Sequence, residues 1–207
     1  MTYKTEQEAF WAGAFGDDYI GRNRAPELLA SNLAFFSRAL QRVRAPASCI
    51  EFGANVGMNL AALRLLYPSL EQHAIEINAK AADELEKVLP AVQVYRQSIL
   101  EFAPSRQWDL VLIKGVLIHI DPQWADAAYK ALHAATGRYL LVAEYYNPVP
   151  VAIDYRGHSN RLFKRDFCGE IMDRYPDLRL VDYGFAYRRD PSFPQDDITW
   201  FLLEKTA

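Results

Sequence analysis

The chain has 207 residues, 51% of them apolar and 24% charged, with a formal net charge of −3. That is the composition of an ordinary globular protein, large enough for one three-layer α/β core, and its acidic balance argues against nucleic acid as a general electrostatic partner. No stretch approaches the roughly eighteen uninterrupted apolar residues of a membrane span, and MTYKTEQEAFW has no apolar run of signal-peptide length, so no membrane is expected and the cytoplasm is the expected compartment.

From the start, EQEAFWAGAF reads as one amphipathic helix, GDDYIGRNRAP as a polar elbow, and ELLASNLAFFSRAL as a second helix with Pro26 at its first position. A rhythm of apolar runs and helical stretches follows. SCIEFG is a strand and GMNLAALRLLY a helix; EQHAIEIN is a strand and AKAADELEKVL a helix stopped by Pro90; VQVYRQS and WDLVLIKG are strands. PQWADAAYKALHAAT is a helix closed by Gly137, and RYLLVAEYY a fifth strand. Then NPVPVAIDYRGHSNRLFKRDFCGEIMDRYP reads as a loop followed by a helix over about 162–175. RLVDYGFAYR and DITWFLLEK end the chain as two strands, joined by a connection too short for a parallel return.

Strands alternating with helices of ten to fifteen residues predict a doubly wound α/β fold. The expected sheet has seven strands, parallel except for the last, with helices on both faces. Cys49 and Cys168 make neither a disulfide framework nor a zinc site, so no metal is expected; Cys49, inside an apolar run, reads as a buried small hydrophobe.

In such sheets a ligand sits at the carboxyl ends of the strands, where strand order reverses. The stretch CIEFGANVGMNL falls there. Gly53 permits a sharp turn with positive φ, Gly57 permits close approach of helix and ligand, and Asn55 tolerates the left-handed region between them. The spacing Gly53–x–Asn55–x–Gly57 is not the GxGxxG layout of dinucleotide sites. Glu51, just before it, repels a pyrophosphate but suits a cationic amine, which favours an amino-acid-bearing nucleoside over NAD. Glu76 ends the second strand, where a carboxylate takes both ribose hydroxyls. Ser98 and Ile99 fall where an adenine is met, and Lys114, Val116 and His119 follow the fourth strand at the floor of the pocket.

EFGANVG, AIEIN, RQSI and DLVLIKGVLIHI, in that order and spacing, resemble the motifs of class I S-adenosylmethionine-dependent methyltransferases. The resemblance implies S-adenosyl-L-methionine as cofactor, held by Glu51, Gly53, Asn55, Gly57, Glu76 and Ile77. Ser98, Ile99 and Lys114 complete that set. The chain departs from the family's usual D/E-x-G-x-G-x-G at Asn55, and from its commoner adenine-side Asp at Ser98. QEAFWAGAFGDDYIGRN, YRGHSNRLFKRDFCGEIMDRYP, DYGFAYRRD and FPQDDITWFLLEK further resemble the methyltransferases named as pseudaminic acid biosynthesis-associated methylases. That likeness spans nearly the whole chain and implies an acceptor from surface-glycan metabolism. It divides a single domain, 1–207, into a helical N-terminal lid (1–45), a cofactor-binding core (46–146), a substrate-side insert (147–175) and a terminal hairpin (176–207).

On the substrate side, Tyr19 and Arg22 of the N-terminal elbow suit a lid over the cofactor, with Arg22 on the methionine carboxylate. The insert places Arg156, His158, Arg161, Lys164 and Arg165 within ten residues, which favours a small anionic acceptor such as a nucleotide-linked sugar; Lys164 and Arg165 equally suit a solvated helix face. Arg156, His158 and Arg161 are the expected acceptor contacts. His119 is the first candidate for a base or an orienting group, with His158, Tyr155 and Asp197 behind it. His73 and His133 receive no role. Two other readings stand beside this one: a non-catalytic S-adenosylmethionine-binding partner protein, and a NAD(P)-binding oxidoreductase. Nothing in the sequence bears on oligomeric state.

Overall fold

A computed structural model of the protein describes residues 3–23 and 26–206, apart from the side chains of residues 22, 23 and 26. Among the described residues the strands are β1 (Ser48–Phe52), β2 (Glu71–Ile75), β3 (Gln93–Tyr95), β4 (Trp108–Lys114) and β5 (Thr136–Glu144). They continue with β6 (Val151–Tyr155), β7 (His158–Lys164), β8 (Leu178–Ala186) and β9 (Ile198–Lys205). The helices are α1 (Glu6–Ala12), α2 (Ala14–Tyr19), α3 (Pro26–Ala39), α4 (Met58–Leu66), α5 (Ala79–Val88), α6 (Ala125–Ala135) and α7 (Phe167–Arg174). No helix among the described residues is long and apolar enough to cross a membrane.

Seven strands form one sheet in the order β3-β2-β1-β4-β5-β9-β8. β1 to β5 pair in parallel, and β9 runs antiparallel to both β5 and β8, as the short final connection requires. The chain steps outward from β1 to β3 and then re-enters at β4 on the other side of β1. Strand order therefore reverses between β1 and β4, which opens a crevice at their carboxyl ends.

Alternation along the strands divides the core. Ile50 and Phe52 of β1 pack with Leu132 of α6 and Phe167 and Ile171 of α7 on one face. Cys49 packs with Phe36 of α3 and Leu60 and Leu63 of α4 on the other. All five β1 residues are buried, as expected of a central strand covered on both sides. Each fully buried Leu or Phe contributes about 1.5–3 kcal/mol relative to exposure.

The structure corrects the sequence reading in three places. The N-terminal segment is two helices separated at Gly13, and the supposed elbow GDDY lies inside the second. Gly13 is extended (φ −99°, ψ −156°), which breaks the helix that Thr5 starts through a capping box with Glu8. At the end of α6 no glycine cap is used. The Thr136 hydroxyl donates to the Leu132 carbonyl at 2.7 Å, and the chain passes directly into β5, which contains Gly137.

The third correction is the insert, which is a β-hairpin rather than a loop and a long helix. β6 and β7 pair antiparallel as a separate two-stranded sheet, and α7 begins only at Phe167, capped by Asp166. Arg156 (φ 52°) and Gly157 (φ 83°) form the two-residue turn with Tyr155 opposite His158. Positive φ at both turn residues matches the right-handed twist of a tight hairpin. Leu162 and Lys164 are thus strand residues, Lys164 lying over the Tyr145 ring. Arg165 donates to Glu170 at 2.6 Å instead of sitting on a solvated helix face.

Candidate active site

A cavity of about 590 Å³ opens at the crevice between β1 and β4, bounded by the N-terminal helices, the β6–β7 turn and the loop between β8 and β9. Its central wall is the turn after β1. Gly53 (φ 77°), Asn55 (φ 48°) and Gly57 (φ 82°) all take the left-handed region, the conformation expected of that spacing. Gly53 and Ala54 donate their N–H groups to the Ile75 carbonyl at 2.9 and 3.1 Å, which ties the turn to β2. Gly53 and Asn55 line the cavity. Gly57 does not: a Cβ there would meet Leu85 at 3.0 Å and Leu89 at 3.3 Å, so its bareness lets α5 pack against the start of α4.

Glu76 follows β2, lines the cavity and is buried. It accepts from the Asn55 N–H through Oε2 and from the Asn78 N–H through Oε1, both at 2.7 Å. Burial raises its carboxyl pKa, and the backbone donors oppose the rise. One carboxylate therefore holds the turn and the beginning of α5 together, while each oxygen keeps a lone pair for a further donor.

Glu51 lies deeper, 1% exposed and off the cavity wall. Its Oε1 accepts from Asn59 Nδ2 at 2.6 Å, and its Oε2 has no partner. Burial pushes the carboxyl up to about 8, against the pull of Asn59 and Lys114. At that value the carboxyl holds its proton at neutral pH; an ammonium brought up to the unpartnered oxygen would favour the ionised form. Asn59 and Lys114 line the cavity in front of it, and burial lowers the Lys114 pKa.

On the β2–β3 side, Ile77, Ser98 and Ile99 line the wall. The Ser98 hydroxyl donates to Glu8 of α1 and accepts from the Leu100 N–H at 2.9 Å. Other links hold the N-terminal helices over the cavity. Asp17 accepts from Asn78 at 2.9 Å and pairs with Lys80, and Gln7 donates to the Asn160 carbonyl at 3.1 Å. Tyr19 lines the cavity; the Arg22 side chain lies outside the described residues.

After β4 the backbone is held by Glu144, the last residue of β5, which accepts from the N–H groups of Val116, Leu117 and Ile118 at 3.0, 2.9 and 3.4 Å. That turn carries His119 onto the wall, against Trp11 (ring centroids 4.6 Å apart) and Tyr155 (4.9 Å). His119 Nδ1 lies 2.6 Å from the Arg161 carbonyl, which only accepts, so Nδ1 carries the proton and Nε2 the lone pair. Burial lowers its pKa to about 4. The imidazole is neutral at physiological pH and a weak base, which favours an orienting role.

That assignment has a direct spectroscopic consequence. The His119 ring resonances are expected not to titrate between pH 5.5 and 8, and a midpoint near the unperturbed value of about 6.5 would reject the assignment. Since the folded pKa lies below the unfolded one, His119 favours the folded state above about pH 6.5, and that contribution is lost as pH falls toward 4.

Tyr155 and Arg156 line the cavity, and the Arg156 guanidinium lies over the Tyr155 ring at 5.4 Å. His158 and Arg161 do not reach it. His158 packs on Phe10 and Phe15. Arg161 lies over Phe10, pairs with Glu6 at 3.2 Å and donates to the Asn160 carbonyl. Both fasten the hairpin to the N-terminal helices; they are three residues apart, and the positive φ of Asn160 (54°) interrupts the alternation that would otherwise put them on opposite faces. Asp197 pairs with Arg188 at 3.3 Å, and its neighbour Asp196 lines the cavity instead. The sequence reading missed Asn32, Tyr145, Glu144, Gln195 and Asp196; only the FPQDD loop advertised one of them, one residue out of place.

No protein-family model matches the sequence, and no curated protein matches it. Solved structures do. Burkholderia thailandensis 1,6-didemethyltoxoflavin-N1-methyltransferase, with 1,6-didemethyltoxoflavin and S-adenosylhomocysteine bound, superposes with a TM-score of 0.71 at 14% identity, over 97% of this chain and 87% of its own. The magnesium protoporphyrin IX methyltransferase from Synechocystis PCC 6803, with S-adenosylmethionine bound, gives 0.68 at 11% identity over 100% of both chains. The N-methyltransferase NodS from Bradyrhizobium japonicum WM9 gives 0.67 at 14%, over 89% of this chain and 99% of its own. The fold is that of S-adenosylmethionine-dependent methyltransferases. Within that fold the cavity occupies the crevice beside β1.

Proposed function

We propose that the protein binds S-adenosylmethionine and transfers its methyl group to a small anionic acceptor, an intermediate of surface-glycan metabolism. The observation that carries the cofactor reading is the pairing of the left-handed turn Gly53–x–Asn55 with the Glu76 carboxylate on one cavity wall, above the unpartnered Oε2 of Glu51. When bound, the cofactor supplies an electrophilic methyl group on a sulfonium, for which alignment with the acceptor supplies much of the rate enhancement. Glu76 would take the ribose hydroxyls through its free lone pairs, Ile77 and Ile99 the adenine faces, and Glu51 the ammonium. His119, neutral and held by the Arg161 carbonyl, would shape the acceptor side without removing a proton. Lys114, Arg156 and Arg188 on the wall support an anionic acceptor; the glycan setting rests on the sequence resemblance alone.

Calorimetry tests this reading. S-adenosylhomocysteine is expected to bind and NAD is not, since the turn lacks the GxGxxG spacing that seats a pyrophosphate on a helix N-terminus. NAD binding as tightly as S-adenosylhomocysteine would overturn it. Methyl release from S-adenosylmethionine across a panel of sugar nucleotides separates an enzyme from a binding partner without chemistry.

A further inference from the structure

The cofactor assignments leave one group of polar side chains on the cavity wall without a task. Asp196, from the β8–β9 loop, is its centre. Tyr19, Lys114, Tyr145 and Arg156 line the same cavity, and the Asp196 charge acts on all four. The adjacent Gln195 fixes the loop by donating to Asn32 of α3 at 2.9 Å. The hydroxyls of Tyr19 and Tyr155 face each other, and burial holds the Tyr19 and Tyr145 phenols in their neutral form. A carboxylate beside three phenol rings has the chemistry that recognises an amine: charge from the acid, ring faces for the cation.

Cations stand beside this acid. Lys114 reaches the cavity over the Phe35 ring, 5.6 Å from its centroid, and no hydrogen-bond acceptor meets it among the described residues. Arg156 and Arg188 lie on the same wall. Arg156 carries a second, independent indication. It sits at the first position of a turn that demands positive φ, where Gly, Asn and Asp are favoured and other residues pay about 1–2 kcal/mol. The strained residue also lines the cavity, its guanidinium over the Tyr155 ring, the association expected of a ligand-holding position.

We propose that the acceptor carries two opposite groups: a phosphate or carboxylate held by Arg156 and Arg188 with Lys114, and an amine held by Asp196 among Tyr19, Tyr145 and Tyr155. The amine nitrogen is the atom methylated. The bound ammonium first gives a proton to Asp196, which frees the nitrogen lone pair; that pair forms the new carbon–nitrogen bond, the carbon–sulfur pair stays on sulfur, and the product leaves as an alkylammonium. That the bound molecule is methylated rests on the methyltransferase reading; that it binds does not.

The test uses O-phosphoethanolamine, inorganic phosphate and ethanolamine as probes, titrated by calorimetry onto the full chain with and without S-adenosylhomocysteine. O-Phosphoethanolamine is expected to bind at least about tenfold more tightly than either half-probe, because two charge-assisted contacts are made at once. Asp196→Asn, at an exposed position where folding is not at stake, should bring it down to the level of phosphate while leaving phosphate itself unchanged. The double variant Arg156→Gln with Arg188→Gln should bring it down to the level of ethanolamine. Equal binding of phosphate and O-phosphoethanolamine, absent binding of all three, or an Asp196→Asn variant that keeps the preference would each overturn the proposal. Absent S-adenosylhomocysteine binding counts against the cofactor assignment alone, since the probes are also titrated without it.

Discussion

Gly53→Val is expected to abolish S-adenosylhomocysteine binding, with no heat detected at concentrations that saturate the wild type. Two effects act together. The backbone at Gly53 has φ 77°, a region closed to a β-branched residue except at strain of about 1–3 kcal/mol. A Cβ would also stand 2.6 Å from Val116 Cγ2, well inside van der Waals contact, so the turn and the strand-four loop would be forced apart. Gly53 N–H anchors the turn to Ile75, so that displacement breaks the cavity wall as well as filling it. Gly53→Ala separates the terms: it keeps most of the strain and the contact but adds no branching, and should retain weak binding. A Gly53→Val protein with wild-type affinity would place the cofactor turn elsewhere.

Glu76→Ala is expected to weaken S-adenosylhomocysteine binding by at least about tenfold, each charge-assisted bond to a ribose hydroxyl contributing roughly 1.5–3 kcal/mol. The structure adds a stability effect. Removing the carboxylate strands the N–H groups of Asn55 and Asn78, and a buried donor without a partner costs about 1–3 kcal/mol. The apo melting temperature should therefore fall together with affinity. Binding to 5′-methylthioadenosine, which shares the ribose, should weaken in parallel with S-adenosylhomocysteine. Loss of affinity for the second but not the first would remove Glu76 from the ribose and leave it only the structural role.

Much of the fold was legible because the strands of a covered sheet are written as apolar runs. WDLVLIKG and RYLLVAEYY carry their burial in composition, and the short link between the last two strands forces an antiparallel pair. The β6–β7 hairpin was not legible. Its turn uses Arg–Gly rather than Asn–Gly, and β6 is exposed along most of its length, so no alternation marks it as a strand. The left-handed turn after β1 was readable for a related reason: Gly53, Asn55 and Glu76 are dictated by backbone geometry that leaves a local imprint. Asp196, Tyr145 and Asn32 leave none, because what brings them together is the packing of β8–β9 against α3. Arg161 and His158 misled for the complementary reason. Positive charge and a ring near a pocket look like ligand contacts in sequence, and the irregular start of β7 at Asn160 spends them on the N-terminal helices.

The place of β9 in the sheet has a consequence for how the molecule assembles. β9 is the final strand in sequence yet lies between β5 and β8, so β8 has no neighbour to pair with until residues 198–205 are in place. The loop before β9 also closes the cavity against α3 through Gln195 and Asn32, a contact spanning 163 positions. Contacts between distant residues are slow to form because the intervening chain must be closed first. The β8–β9 pair is local in sequence, whereas β1–β4 and β5–β9 each join strands about sixty positions apart, so the terminal hairpin can form before it docks on β5. Until that hairpin docks, the edge of β5 is unpaired and the Gln195–Asn32 contact at the cavity rim is missing.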